Sequence, residues 1–242
     1  SPQYSSTVNW DLSLINLGVA NATGVYAILS SSSPYLTLTN DSIYVGNLNI
    51  NADSTLTSAF SAQIGQYVED GTIANLMVTI HFDTSETVKN VPTTLLAPKF
   101  SRNGFSLTQI SGNSNGVVDP GESFKLTVND INIGHADIGY VNSALVSHYS
   151  LLNIENSLFP LGYMAVQGTS QSLFNILIGD SVENGTIIPL YYRIKSGNYE
   201  TLDTLFIAIG SVSETFENNN FTTFNWVNGT SYPWQIATSG AY

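Results

Sequence analysis

The sequence predicts an all-β protein made of two tandem β-sandwich modules followed by a short C-terminal β segment, and three observations predict it. The chain repeats itself at domain length, apolar and polar residues alternate along its strand-like stretches, and turn residues punctuate those stretches at short intervals.

The repeat carries most weight. Asn16-Leu17-Gly18 returns 116 positions later as Asn132-Ile133-Gly134, Leu29 matches Leu145, and Gly46 matches Gly162. Farther on the offset drops by two, as a small loop deletion makes it. Phe60 then meets Phe174, Glu69-Asp70-Gly71-Thr72 meets Glu183-Asn184-Gly185-Thr186, and Ile80 meets Ile194. A unit of roughly one hundred residues is domain-sized and exceeds the 20–50 residue period of solenoids and propellers, so each copy is expected to own a core. The expected boundaries are 1–97, 98–212 and 213–242.

Each element follows from its pattern. In the first copy Val8, Trp10, Leu12 and Leu14 alternate with Asn9, Asp11 and Ser13; in the second, Phe124, Leu126 and Val128 alternate with Lys125, Thr127 and Asn129. A period of two puts one face of such a strand in a core. Further strands are expected at Val25 to Leu29, Tyr35 to Leu38, Phe60 to Ile64 and Leu76 to Phe82. Their counterparts lie at Val141 to Val146, Leu151 to Ile154, Phe174 to Ile178 and Ile188 to Ile194, with Thr204 to Ile209 closing the second copy. Asp-Gly, Asn-Gly and Gly-Asn pairs mark turns that need positive φ. Short strands at this spacing favour an immunoglobulin-like sandwich. A hinge is expected at Leu95-Leu96-Ala97-Pro98-Lys99, where Pro98 withholds one backbone donor. The first copy lacks the upstream strand that the second carries around Phe105-Ser106-Leu107, so the chain reads as a piece of something longer.

Composition narrows the partners. Six basic residues against eighteen acidic ones give a formal charge of −12, which argues against nucleic acid and anionic membranes. No apolar run reaches the ~18 residues of a membrane-spanning helix, so no membrane insertion is expected; Ser1-Pro2-Gln3-Tyr4 has neither a basic n-region nor an apolar h-region, so any export signal is expected to lie outside this chain. With no cysteine, a disulfide framework, a zinc–thiolate site and a thiol nucleophile are excluded.

One loop has the spacing of a calcium site. Counting from Ser111, the residues Ser111, Asn113, Asn115, Val117 (through its carbonyl), Asp119 and Glu122 take the ligand positions of a twelve-residue loop, with Gly116 at the turn. Only two of these are carboxylates, so the expected affinity is on the order of 10⁻⁴ to 10⁻³ M, that of extracellular modules. The alternative is a Gly/Asn-rich connection closed by the Pro120-Gly121 turn.

The string Gly112 to Glu122, followed by an alternating strand and Asn132-Ile133-Gly134, resembles the Ig-like modules of large secreted Bacteroidetes proteins. It is similar in particular to those downstream of the catalytic domain in gingipain-like cysteine peptidases of family C25. Thr7-Val8-Asn9-Trp10, Asn16-Leu17-Gly18 and Ser33-Pro34-Tyr35-Leu36-Thr37-Leu38 carry the companion pattern in the first copy. Asp130 departs from it, since an apolar residue is commoner there. Glu214 to Glu217, Phe221 to Trp226 and Pro233 to Ile236 resemble the opening of the jelly-roll adhesin domains that follow such modules. The resemblance implies a secreted or cell-surface bacterial protein with peptidase activity confined to another domain. It also implies O-glycosylation at Asp-Ser/Thr-apolar tripeptides, here at Ser42, Ser54, Ser181 and Thr204.

Catalysis is not expected in this chain. His81, His135 and His148 read as structural or solvated, and neither a Gly-x-Ser-x-Gly elbow nor a phosphate-binding loop occurs. The expected role is a non-catalytic spacer, stabilising or adhesion region whose partners are adjacent domains of the same polypeptide, with a host protein or glycan as further candidates. An aromatic binding strip of Tyr191, Tyr192 and Trp234 is the matching ligand site, set against ordinary strand enrichment in aromatics. Three alternatives stand beside this role: a carbohydrate- or protein-binding adhesin module, a repeat module of a structural cell-envelope protein, and an intrinsically active hydrolase, which requires a cleft with converging His and carboxylate groups.

Overall fold

A computed structural model describes residues 1–210, so the expected third domain at 213–242 lies outside the described residues. The described chain is all β. The first module comprises β1 (Thr7–Ile15), β2 (Ala22–Ser31), β3 (Leu36–Asn40), β4 (Ser42–Leu48), β5 (Asp53–Ile64), β6 (Ile73–Phe82) and β7 (Ser85–Thr94). The second comprises β8 (Phe100–Ser111), β9 (Ser123–Asn132), β10 (Ile138–Val146), β11 (Leu152–Ile154), β12 (Leu158–Met164), β13 (Thr169–Ile178), β14 (Ile187–Ser196) and β15 (Tyr199–Ala208).

Each module packs two antiparallel sheets. The first pairs β1-β5-β3 with β4-β2-β6-β7; the second pairs β8-β9-β13-β11 with β12-β10-β14-β15. Without β8 the two strand orders are the same. The correspondence extends to single hydrogen bonds. Asn16 Nδ2 donates to the Ala20 and Leu48 carbonyls at 2.9 and 3.0 Å, and its Oδ1 accepts from Gly18 N at 2.9 Å. Asn132 makes the same three bonds, to Ala136 O at 2.9 Å, Met164 O at 3.4 Å and Gly134 N at 3.1 Å. A bulge falls at Val25 opposite Gly46 and again at Val141 opposite Gly162. Beside it the left-handed residue is Gly24 in one copy and Tyr140 (φ 55°) in the other; forcing a side chain into that region costs roughly 1–2 kcal/mol.

Three strands escape the sequence pattern: β4, β7 and β12. All are edge strands, and an edge strand needs no continuous apolar face. Every residue of β7 except Thr93 is exposed.

The linker differs from expectation. Leu95, Ala97 and Pro98 are buried, Ala97 N donates to Asp70 Oδ1 at 2.9 Å, and Lys99 N donates to Asn132 Oδ1 at 3.1 Å. A hinge needs backbone free to rotate, and this backbone is bonded on both sides. The core cluster of the second module also continues through Ala97, Leu95, Ala74, Val68 and Ile64 of the first. The far end of the first module keeps a separate, smaller cluster around Leu12, Leu29, Phe60 and Leu76.

Candidate functional site

The junction between the modules brings interacting polar and aromatic groups of both copies together. It is built from two repeated turns. The Glu69-Asp70-Gly71-Thr72 turn of the first module is closed by Thr72 donating to Glu69 O from both its N (3.1 Å) and its Oγ1 (2.6 Å), as Thr186 does to Glu183 O. This turn aims Asp70 at the Asn132-Ile133-Gly134-His135 turn of the second module. Asp70 Oδ1 accepts from His135 N at 3.3 Å as well as from Ala97 N, and Oδ2 lies 2.8 Å from His135 Nδ1. Burial works against the charge on Asp70, but the bonds from Ala97 N and His135 outweigh it and hold the carboxyl below the usual range.

Tyr199 is the second clasp. Its hydroxyl meets both Val68 N (3.1 Å) and Val68 O (3.2 Å), and its ring packs on Tyr4 and Tyr67 with centroids 5.1 and 5.2 Å away. Tyr4 Oη in turn donates to Asp137 O at 3.1 Å. Gly134 permits the close approach: a Cβ there would lie 2.4 Å from Ala97 O and from Lys99 N. Beside the clasp opens a cleft of about 470 Å³, lined by Tyr67, Glu69, Lys99, Asn198 and Glu200. Phenol, carboxylates, an ammonium and an amide can hold a polar ligand by hydrogen bonds. They offer no activated nucleophile.

Inside the second module, Asp130 is wholly buried. Its Oδ2 accepts from Tyr192 Oη at 2.7 Å and Ser172 Oγ at 2.8 Å, while Oδ1 has no partner. Burial raises the Asp130 pKa against the opposing pull of those hydroxyls and of Arg102, and burial beside that carboxyl raises the Tyr192 pKa as well. This corrects the expected aromatic strip. Tyr192 is 2% exposed because successive side chains of β14 point to opposite faces, so Tyr191 and Tyr192 cannot share a surface. Tyr191 does lie outside, tilted against His148 with centroids 5.1 Å apart, and Trp234 lies outside the described residues.

The Ser111–Glu122 loop is closed by its own groups. Glu122 Oε1 accepts from Gln109 Nε2 at 2.7 Å and Asn113 N at 2.8 Å, and Oε2 accepts from Asp119 N at 3.0 Å. Asp119 Oδ2 accepts the amide nitrogens of both Asn113 (2.8 Å) and Asn115 (2.7 Å). The oxygens of Asn113 and Asn115 accept from the backbone N of Asn115 and Val117. Ser111 Oγ pairs with Ser123 Oγ at 2.6 Å. As arranged, the two amides present nitrogen rather than oxygen to Asp119. Among the described residues no group of three or more His, Cys, Asp or Glu side chains is placed to hold a metal.

Of the expected glycosylation positions, Ser42 and Ser181 are exposed, whereas Ser54 and Thr204 are half-buried within β5 and β15. Among the described residues no serine or threonine hydroxyl bonds to a histidine ring. His81 stacks on Tyr26 (4.5 Å, 13°) and reaches Glu86 at 3.4 Å.

The junction pair was missed from sequence. The available signal was Asp70 standing where the otherwise repeated turn has Asn184.

No known protein family matches the sequence, and neither does any curated protein. Among solved structures, a transglutaminase from red sea bream aligns at 10% identity and TM-score 0.35, over 87% of this chain but only 30% of its own length. A Porphyromonas gingivalis protein of unknown function aligns at 10% identity and TM-score 0.28, covering 86% of this chain and 93% of that one. The C-terminal domain of the Streptococcus agalactiae AgI/II polypeptide BspA aligns at 10% identity and TM-score 0.39, covering 86% and 94%. Likenesses at these scores carry no argument about function.

Proposed function

We propose that this chain is a stiff, non-catalytic unit of a secreted or cell-surface bacterial protein, which spaces or docks a neighbouring domain of the same polypeptide. The observation that supports it most is that the core of the second module continues through the linker into the adjoining end of the first. Inter-module interfaces are by default mobile; here the linker is buried and clasped by Asp70 and Tyr199. A spacer that transmits position needs that property, whereas a tether does not. The motif resemblance supports a gingipain-like peptidase as the neighbour. Small-angle scattering over a range of salt tests stiffness: one unchanging particle dimension fits the reading, and a broad distribution of inter-module angles sinks it.

An adhesive role is the second reading. Tyr44, 70% exposed, is the cross-strand partner of Tyr26, which stacks on His81, so three rings line the outer face of β4, β2 and β6. Aromatic faces of this kind stack on sugar rings. Binding to a glycan array that Tyr44→Ala abolishes supports it. The structural cell-envelope alternative differs in the parent gene, where more copies of the module and no catalytic domain are its mark.

Calcium at the Ser111–Glu122 loop is a separate proposal, supported by ligand spacing and opposed by the present amide orientation. An unchanged melting temperature in millimolar calcium against chelator removes it. Glycosylation at Ser42, Ser54, Ser181 and Thr204 is likewise proposed, with Ser42 and Ser181 the accessible pair; the mass of natively exported protein decides.

A further inference from the structure

The first module is open where the second is closed. Between the free edge of β1 and the exposed strand β7 lie two adjoining apolar hollows of about 280 and 290 Å³, which share Leu14 and Ile80. In the second module the same side is covered by β8, which pairs with β9 along its length and reaches β15. There Thr201 Oγ1 donates to Phe100 O at 3.1 Å, and Arg102 Nε donates to Asp203 Oδ2 at 2.5 Å.

Equivalent positions show what the missing cover does. Leu126, Tyr192, Ile194 and Leu205 are all buried in the second module. Their counterparts Trp10, Val78 and Ile80 are only half-buried, and Val91 is 39% exposed where Leu205 is 1%. The residues are apolar in both copies, so the first module carries a core face built for contact and left in water. An unpaired strand edge beside an apolar groove is the arrangement that accepts an added strand, with main-chain bonds along the edge and side chains in the groove.

We propose that this groove is the seat of one more β-strand, donated by polypeptide N-terminal to Ser1, and that the strand carries an acidic residue where β8 carries Arg102. The path exists in the repeat. Pro2 O accepts from Leu96 N at 2.9 Å as Val118 O accepts from Gly210 N at 2.6 Å, so the segment following the strand is seated alike in both modules. In the second module a short loop leads from the end of β8 at Ser111 to Val118; the same loop reaches the groove from Ser1. The charge follows from the partners. Arg102 sits opposite Asp130 on β9 and bonds Asp203 on β15. The corresponding residues of the first module are Leu14 and Lys89, both of which line the groove. A cation there would face Lys89, and the carboxylate that lines the same hollow, Asp11, is already engaged by Ser58 N at 2.7 Å, whereas a carboxylate would pair with Lys89.

The test uses the whole chain, extended ahead of Ser1 by a copy of residues 100–116 in which the arginine position carries R102E. In this register residue 116 of the copy abuts Ser1 as Gly116 abuts Val117. Amide exchange of β1 residues Thr7–Ile15 is the readout. The expected result is at least tenfold slower exchange for the outward-facing amides of β1, together with a higher melting temperature. Both effects should be smaller with the unaltered copy, and Lys89→Glu in the extended chain should reverse the preference. Lys89 is exposed on β7, so that variant is expected to fold. Exchange no slower than with a scrambled extension overturns the proposal, and a preference that Lys89→Glu leaves unreversed overturns the charge assignment. A free peptide of the same sequence that protects β1 when the tethered copy does not would place the donor on a separate chain and overturn the N-terminal assignment.

Discussion

Asp130 is the residue most at odds with its surroundings. A carboxyl with one satisfied oxygen and one orphan, in the middle of a sandwich, is costly in its charged form. Its folded pKa is raised, above the ~3.9 of an exposed aspartate, chiefly by burial. The stability it contributes is therefore fully present below the unfolded pKa and is lost as pH rises through the folded one. Asp130→Asn keeps an oxygen acceptor for Tyr192 and Ser172 without the charge. It is expected to melt higher than the parent at pH 7 and to lose part of the parent's pH dependence above the ordinary aspartate range. A parent and variant with parallel melting curves above it contradict this account. Gly134 offers a second residue-scale test, because its repeat partner supplies the control. A Cβ at Gly134 meets linker backbone at 2.4 Å, whereas one at Gly18 comes no closer than 3.1 Å to the Asn16 side chain. Overpacking of the first kind costs typically ~1–3 kcal/mol. Gly134→Ala is thus expected to lose about that much in urea titrations, and Gly18→Ala clearly less. At this scale the sequence was partly legible. Asp130 stood out as an unusual residue, and the register of Phe124, Leu126 and Val128 already set it on the core face, but nothing in the sequence named Tyr192 and Ser172 as its partners. Tyr192 misled because adjacent tyrosines look like a patch until the strand's alternation is applied to them.

At the scale of elements, the legible strands were those with one face in a core. Period-two alternation marked β1, β2, β9, β10, β13 and β14 because burial on one side selects it. It failed for β4, β7 and β12, which need only pair on one side, and β7 reads Ser-Glu-Thr-Val-Lys-Asn with almost nothing buried. The Ser111–Glu122 loop was legible as a motif and ambiguous as chemistry, since oxygens that ligate a cation equally well accept backbone N–H bonds. Glu122 decides how much of the loop stands without an ion. Its carboxylate satisfies Asn113 N and Asp119 N in a nearly buried position, and each stranded backbone donor costs roughly 1–3 kcal/mol. Glu122→Ala is therefore expected to destabilise the second module by about 2–4 kcal/mol in chelator, measured by chemical denaturation. A loss that appears only when calcium is present would instead make the carboxylate a ligand first and a clasp second.

At the scale of the whole molecule, the duplication was visible in sequence while the coupling between copies was not. Repeated residues announce repeated folds, but Asp70 with His135 and Tyr199 with Val68 pair across more than sixty positions. Neither pair is repeated, because each joins one copy to the next. The coupling predicts how the molecule unfolds. A core shared by both modules makes separate melting costly, since whichever unfolds first strips Val68, Leu95 and Ala97 of their cover. The parent is expected to show one calorimetric transition with matching calorimetric and van't Hoff enthalpies. Tyr199→Phe strands the Val68 contacts and is expected to lower that transition by about 1–2 kcal/mol. Combined with Asp70→Ala, it should split the transition in two. In the Tyr199→Phe background acid should replace the second substitution. The pKa of Asp70 is depressed in the fold, so its contribution is present above the unfolded value and disappears as pH falls through the folded one. A single transition at pH 7 that becomes double at low pH in Tyr199→Phe, while the double variant is double at both, would locate the remaining coupling in that carboxylate. Two transitions in the parent at neutral pH would mean that the modules are neighbours without being one body, and the stiff-spacer reading would go with them.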